Sequence, residues 1–297
     1  MSQFHKFQAN TEHEKMKIEN FLALHLTSLS RTHIANLIEK GACSLNSETA
    51  TRRQRIKEGD EILINIETIP LNSATPENIP LEIIYEDDSL LVVVKPSGML
   101  VHPTLSVKSG TLLNALYYHL NKMPNATFIR PALVHRLDRE TSGLVVIAKT
   151  RKALSHFGNH FQRKLVKKKY LALVDGIIAE DEMTIIARIG RDENQQPKWR
   201  VLENGKQSET HLRVLERYES SSFVELEPIT GRTNQLRIHC AYVGHSIIGD
   251  KLHGKIEFER LCLHAAKISF YHPATNEWLE FESPLPKEFK SAMNKFS

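Results

Sequence analysis

The segment His135-Arg136-Leu137-Asp138-Arg139-Glu140-Thr141-Ser142-Gly143-Leu144-Val145-Val146-Ile147-Ala148-Lys149 falls into two halves of different character. From Gly143 to Ala148 it is a short apolar run, rich in β-branched residues and led in by Ser-Gly, which predicts a buried strand. Ahead of it, cations and carboxylates crowd a polar turn. A rigid strand beside such a turn can hold a reactive side chain in one geometry. Taken alone, the charges also fit a plainer reading, in which Asp138 pairs with Arg136 or Arg139 and merely orders the turn.

The same segment resembles the signature of the RluA-type pseudouridine synthases, His-Arg-Leu-Asp-x-x-Thr-Ser-Gly-Leu, and follows it without a departure. The resemblance implies that Asp138 is the catalytic aspartate and that Arg136 fills the space vacated when a uridine leaves its stack. It also implies an α+β fold: a pseudouridine synthase fold with a mixed, largely antiparallel sheet and a central catalytic cleft, preceded by a small S4-like α/β domain.

Bulk properties are compatible with this. A chain of 297 residues, 41% hydrophobic and 25% charged, can bury a sizeable core and has room for two domains. With 39 basic against 35 acidic residues, the net charge of +4 does not by itself identify a polyanionic partner. Its distribution is more informative: Thr141 to Val174 holds eight Lys or Arg and no Asp or Glu, a strip that RNA could follow or that could simply be solvated. The three cysteines are far apart and show no zinc spacing. No signal core and no bilayer-length apolar run is evident, so a cytoplasmic protein without a membrane partner is expected.

Residues 1–15 are polar and are expected to form a flexible N-terminus. Ile18, Phe21, Leu22 and Leu26 then fall at helical spacing. A second helix is expected after Leu29, with Ser30 as N-cap, Ile34, Leu37 and Ile38 inward, and Gly41 as its stop. A short strand and turn at Cys43–Asn46, a basic loop and a strand at Glu61–Ile66 follow. Over residues 16–68 this order resembles the S4 RNA-binding module, which makes Arg31, Arg52 and Arg53 candidates for phosphate contacts that fix position rather than read sequence. Residues 69–80, with three prolines and no hydrophobic period, predict a semi-extended linker. The remainder, 81–297, is the expected catalytic domain.

Within it, Lys95-Pro96-Ser97-Gly98 and Val101-His102-Pro103 match the family's first motif, and their expected role is to scaffold the cleft. Leu112, Leu113, Leu116 and Leu120 predict the inner face of a helix, and Leu154, Phe157, Phe161 and Leu165 predict another. Lys168-Lys169-Tyr170-Leu171-Ala172 resembles the family's Lys-x-Tyr-Leu-Ala strand, so Tyr170 is expected to line the site and Lys168 to meet RNA. An aromatic face there suits a base. Residues 192–198 predict a mobile surface loop.

Gly231-Arg232-Thr233-Asn234-Gln235-Leu236-Arg237-Ile238-His239 resembles the third motif. By that resemblance Arg237 pairs with the catalytic aspartate, and Arg232 steadies the loop or a phosphate. The family usually has His where this chain has Asn234, which can replace some imidazole hydrogen bonds but carries no charge. The many C-terminal histidines show no metal-ligand spacing with a carboxylate, and neither a metal nor another cofactor is expected.

Converting uridine to pseudouridine needs an ionised carboxylate at the ribose, acting on C1′ as nucleophile or at C2′ as base. Burial alone raises such a carboxyl by up to about 3–5 pKa units, and a neighbouring arginine opposes this by about 1–3. The expectation is a monomeric enzyme acting on RNA, most simply large-subunit ribosomal RNA, with tRNA as another possible substrate. Two rivals remain at this stage. One is an S4-type RNA binder with an inactive synthase domain; the other is a glycoside or nucleoside hydrolase, which needs a second carboxylate, with Glu140 the nearby candidate.

Overall fold

The computed structural model describes residues 2–26, 29, 31–67, 74–122, 128–195 and 198–296. The expected Ser30 cap, residues 69–73 of the expected linker and part of the 192–198 loop lie outside the described residues. The chain divides into two compact units, Met1–Pro76 with Tyr117–Arg130, and Glu77–Leu116 with Pro131–Ser297. The second unit thus starts at Glu77, where residue 81 was expected to open the larger domain, and it does not include Tyr117–Arg130.

The first unit contains β1 (Ser2–Gln8), α1 (Ile18–His25), α2 (Arg31–Glu39), β2 (Cys43–Leu45), β3 (Glu48–Thr49) and β4 (Glu61–Glu67). Its sheet runs β1-β4-β2-β3. In β4 the alternation is strict: Ile62, Ile64 and Ile66 point into the core, where Ile18, Phe21 and Leu22 of α1 and Ile34, Leu37 and Ile38 of α2 meet them. Gly41 follows α2 with φ +77°, the left-handed stop expected there. One expectation fails here. Instead of a flexible terminus, Ser2–Gln8 pairs antiparallel with Glu61–Glu67 along its full length. The open edge of β4 supplies the backbone partners, which a polar N-terminal sequence does not reveal.

The second unit carries β5 (Glu82–Glu86), β6 (Leu90–Lys95), β7 (Ala132–Leu133), β8 (Ser142–Ala148), β9 (Lys167–Asp175), β10 (Glu182–Arg191), β11 (Trp199–Val201), β12 (Lys206–Arg217), β13 (Ser221–Pro228), β14 (Leu263–Tyr271) and β15 (Trp278–Glu282). Its helices are α4 (Arg151–Gln162), α5 (Gln235–Tyr242) and α6 (Lys287–Phe296), with the start of α3 (Leu112–Asn121). The strands form one sheet in the order β11-β10-β12-β13-β9-β14-β8-β6-β5, with β15 added to β14 and β7 to β8. All pairings are antiparallel except β14 with β8. This is the expected largely antiparallel α+β architecture.

The predicted strand at Gly143–Ala148 is β8, and every one of its residues is buried. Its side chains alternate between two cores: Val145 and Ile147 join Leu91, Val93 and Leu173, while Leu144, Val146 and Ala148 join Phe157 and Phe270. A strand covered on both faces reads as a continuous apolar run. At its start Gly143 has φ +118°, and a Cβ there would meet the Ala265 carbonyl oxygen at 2.3 Å. Glycine is what lets β14 approach in parallel at this point. α4 is capped by Thr150, whose hydroxyl accepts from the Ala153 amide at 3.1 Å. Its inner face is Ala153 and Phe157; Leu154, expected inward, is exposed because the sheet lies a step around the helix from it.

Candidate active site

The turn between β7 and β8 carries Asp138 and is held from several directions. Thr141 donates its amide to the Asp138 carbonyl at 3.2 Å, closing the turn. The Lys95 ammonium, fully buried, donates to the carbonyls of Pro96 at 2.7 Å, Met99 at 2.8 Å and Arg139 at 3.0 Å. Gly98 and Arg139 exchange further bonds, and the Ser97 hydroxyl donates to the Glu140 carbonyl at 2.7 Å. The Lys-Pro-x-Gly segment thus scaffolds the cleft as expected. Burial draws the Lys95 pKa down to about 7, opposed by the charges of Glu140 and Asp138. Three carbonyl acceptors favour the three-proton form. On the other side, His135 Nε2 accepts from the Val146 amide at 3.0 Å, and burial pushes its pKa to about 3, so the ring stays neutral.

A cleft of about 600 Å³ opens over this turn, lined among others by Arg136, Asp138, Lys168, Tyr170, Arg232 and Arg237. These are all of the expected catalytic-domain site residues, drawn together from three separated segments. Lys168 and Tyr170 stand two residues apart on β9 and so face the same way. The Tyr170 phenol is pushed upward by burial and then by the Asp138 charge, which keeps it protonated and able to donate. Burial lowers the Lys168 ammonium, whose nitrogen stands 5.7 Å from the centre of the Phe161 ring. Glu140 does not line the cleft. Glu227, the other carboxylate that does, faces Lys167 at 3.9 Å.

The expected contact between Asp138 and Arg237 is not found. Arg237 forms a buried bidentate pair with Asp250, Nε to Oδ2 at 2.8 Å and Nη2 to Oδ1 at 2.5 Å. Its side chain is 6% exposed and that of Asp250 is 0% exposed. No Lys or Arg nitrogen lies within 4.0 Å of the Asp138 carboxylate among the described residues. Arg237 acts on Asp138 only through space. The physical reason is that a buried guanidinium takes the partner which also satisfies its fork geometry, and Asp250, fixed by the amides of Leu252 and His253, is preset for it.

The direct partner of Asp138 is Asn234. With its amide nitrogen facing the carboxylate, that nitrogen lies 3.0 Å from Oδ2 and 3.2 Å from Oδ1; the opposite orientation would set its oxygen against two others. Asp138 is raised above the ordinary aspartate range, by burial first, against the charges of Arg237, Arg136 and Lys95 and with that of Asp250. Asp250, buried but paired, is lowered.

The loop that presents Asn234 is fixed by Gln235. Its Oε1 accepts from the Thr230 hydroxyl at 2.7 Å and the Arg232 amide at 3.0 Å, and its Nε2 donates to the Glu209 carbonyl at 2.9 Å. Arg232 donates to the Gln207 carbonyl at 3.2 and 3.3 Å, steadying the same loop.

In the first unit, Arg31 and Arg53 are exposed and make no ion pair among the described residues. Arg52 differs from expectation: it already bridges Glu19 at 3.0 Å and Glu39 at 2.8 Å, because the two helices bring those carboxylates to its loop.

A family model described as RNA pseudouridylate synthase matches residues 89–242. An uncharacterized RNA pseudouridine synthase of Bacillus subtilis, YlyB, is 37% identical over 94% of this chain and 94% of its own length. The chain belongs to the RNA pseudouridylate synthase family. Ribosomal large subunit pseudouridine synthase D of Nitrosomonas europaea is 36% identical over 94% of this chain and 83% of its own. Among solved structures, human RNA Pseudouridylate Synthase Domain Containing 1 superposes with a TM-score of 0.58 at 30% identity, over 74% of this chain and 87% of its own.

The sequence signature singled out Asp138 and Tyr170, which both line the cleft, but it did not point to two residues beside them. Asp250 sits thirteen positions beyond Arg237 with no local signal except the Gly249-Asp250 turn, where Gly249 takes φ +78° against the Arg260 carbonyl. Asn234 was visible as a departure, though its contact with Asp138 was not.

Proposed function

We propose that this chain isomerises uridines of large-subunit ribosomal RNA to pseudouridine, with Asp138 as the essential carboxylate. The observation that carries this is the placement of Asp138: a single unpaired carboxylate in a cleft of about 600 Å³, sharing it with Tyr170 and with the cations Arg136, Lys168, Arg232 and Arg237. A flipped uridine entering the cleft can stack on Tyr170 while its ribose meets Asp138. Asp138 then acts on C1′ or C2′, the glycosidic bond breaks, and the turned uracil rejoins through C5. The C5 proton then leaves to solvent as the ring regains its aromatic form, while the Tyr170 phenol, held protonated, packs on the base and can donate a hydrogen bond to it. The target assignment draws on the relatives named as ribosomal large subunit synthases.

The first unit, in this reading, is an S4-like module that holds RNA by phosphate contacts, with Arg31 and Arg53 as its free cations. The protein acts as a monomer in the cytoplasm. The test is release of tritium from C5-labelled uridine in an unmodified large-subunit ribosomal RNA transcript. Release with the base retained in the chain supports the reading; its absence, or release of free uracil, overturns it. Mapping of pseudouridines in cells with and without the gene identifies the positions.

A further inference from the structure

Asn234 occupies a conformation and makes a contact that its local setting does not require. It stands at the N-cap of α5 with φ +53°, in the left-handed region where asparagine is among the few tolerated non-glycine residues. An asparagine at an N-cap ordinarily turns its side chain back onto the first amides of its own helix. Here it makes no capping bond. Its amide instead faces outward, with the nitrogen at 3.0 and 3.2 Å from the two oxygens of Asp138. Gln235, next in the chain, is anchored by four hydrogen bonds to Thr230, Arg232, Glu209 and Thr210, so the backbone that aims the amide is fixed.

We infer that Asn234 is the positioning residue of the Asp138 carboxylate: its neutral amide fixes both oxygens in the cleft and leaves them their charge, while the nearby guanidinium of Arg237 is reserved by Asp250. The inference rests on Asp138 being the reacting carboxylate. A direct arginine partner would hold the group equally well but would lower its basicity and occupy lone pairs that the ribose must meet. An amide nitrogen bridging both oxygens restrains rotation about the Cβ–Cγ bond at a much smaller electrostatic cost to the anion. The charged and titratable groups around Asp138 are Arg136 on its own turn, Arg237 on α5, Asp250 beyond α5, Lys95 at the end of β6 and Tyr170 on β9. None of these touches the carboxylate within ion-pair distance. Asn234 is therefore the group whose removal changes the orientation of the carboxylate and its hydrogen bonding together.

The test uses the full chain with two substitutions. Asn234→Gly deletes the amide and keeps the left-handed backbone, which glycine adopts freely, and no cap bond is lost with it. Asn234→His restores an N–H donor at a position where histidine also tolerates positive φ. The readouts are kcat and KM for tritium release from a C5-labelled, unmodified large-subunit ribosomal RNA transcript, across roughly pH 5–9. For Asn234→Gly, kcat falls by about 10–100-fold, KM stays within about twofold, and the acid limb of the profile moves to higher pH. Asn234→His recovers part of kcat and adds a pH dependence that the parent lacks, from its own imidazole. The inference is overturned if Asn234→Gly leaves kcat and the acid limb unchanged. It is also overturned if kcat, RNA affinity and melting temperature fall together with the profile unmoved, since that is loss of fold alone. An inactive parent chain would instead sink the proposed function.

Discussion

Two aspartates in one site have opposite surroundings. Asp250 is wholly buried, is held by a bidentate arginine and accepts two backbone amides besides; its carboxyl is lowered. Asp138 is half-buried, meets the neutral amide of Asn234 and is raised. The residue type is the same and the environment differs: one carboxylate is tied into a buried ion pair, and the other meets no Lys or Arg within ion-pair distance among the described residues. Separating two carboxylates in this way is a general means of dividing labour within a site.

The comparison can be broken most directly at Asp138. Asp138→Asn lowers tritium release by at least about 10³-fold while RNA binding persists. Its effect on stability has the opposite sign to its effect on activity. Because the folded-state carboxyl is raised, its ionisation opposes folding above the folded pKa, and the penalty vanishes below the unfolded value of about 3.9. Asp138→Asn therefore raises the melting temperature at neutral pH and not in acid, which a calorimetric pH series checks. The same shift places the acid limb of the parent's pH–rate profile above the ordinary aspartate range.

Asp250 behaves in reverse. Removing it in Asp250→Ala leaves Arg237 buried without a counter-charge, at a cost of about 3–5 kcal/mol in chemical denaturation. In the parent, the stability due to Asp250 is present above the unfolded pKa and is lost as pH falls through its lowered folded value. Gly143→Ala tests the frame that both depend on. With φ +118° and 2.3 Å to the Ala265 carbonyl, it costs about 2–4 kcal/mol and loosens the β8–β14 junction.

The same contrast between a paired and an unpaired group recurs in the first unit on a smaller scale. Arg53→Ala lowers the slope of log affinity against log salt by about 1, as expected for one phosphate contact. Arg52→Ala changes it less, because Glu19 and Glu39 already hold that side chain. Equal slopes for the two variants would remove Arg53 from the proposed interface.

These contrasts also mark how far the residues could be read without coordinates. The β8 run, the isoleucine alternation of β4 and the helical stripes of α1 and α2 were legible because their periods are local. Asp138 and Tyr170 were legible because the motif around each is long, and both stand in the cleft. Leu154 misled because helical spacing gives a stripe without saying where on the helix the sheet lies. The N-terminal strand was hidden because its partner is some sixty residues away and its own side chains give no apolar rhythm.

The amino-acid order was sufficient for the family and for singling out Asp138 as the candidate carboxylate, since short-range pattern and a distinctive motif are properties of contiguous residues. Which group would face that carboxylate was settled by packing. Arg237 and Asn234 stand three positions apart on one loop and helix, and both could reach toward the cleft. The turn at Gly249 brings Asp250 against the arginine, and the left-handed backbone at position 234 aims the amide at Asp138. Competition between partners is decided by distance in space, and no window of sequence contains that distance.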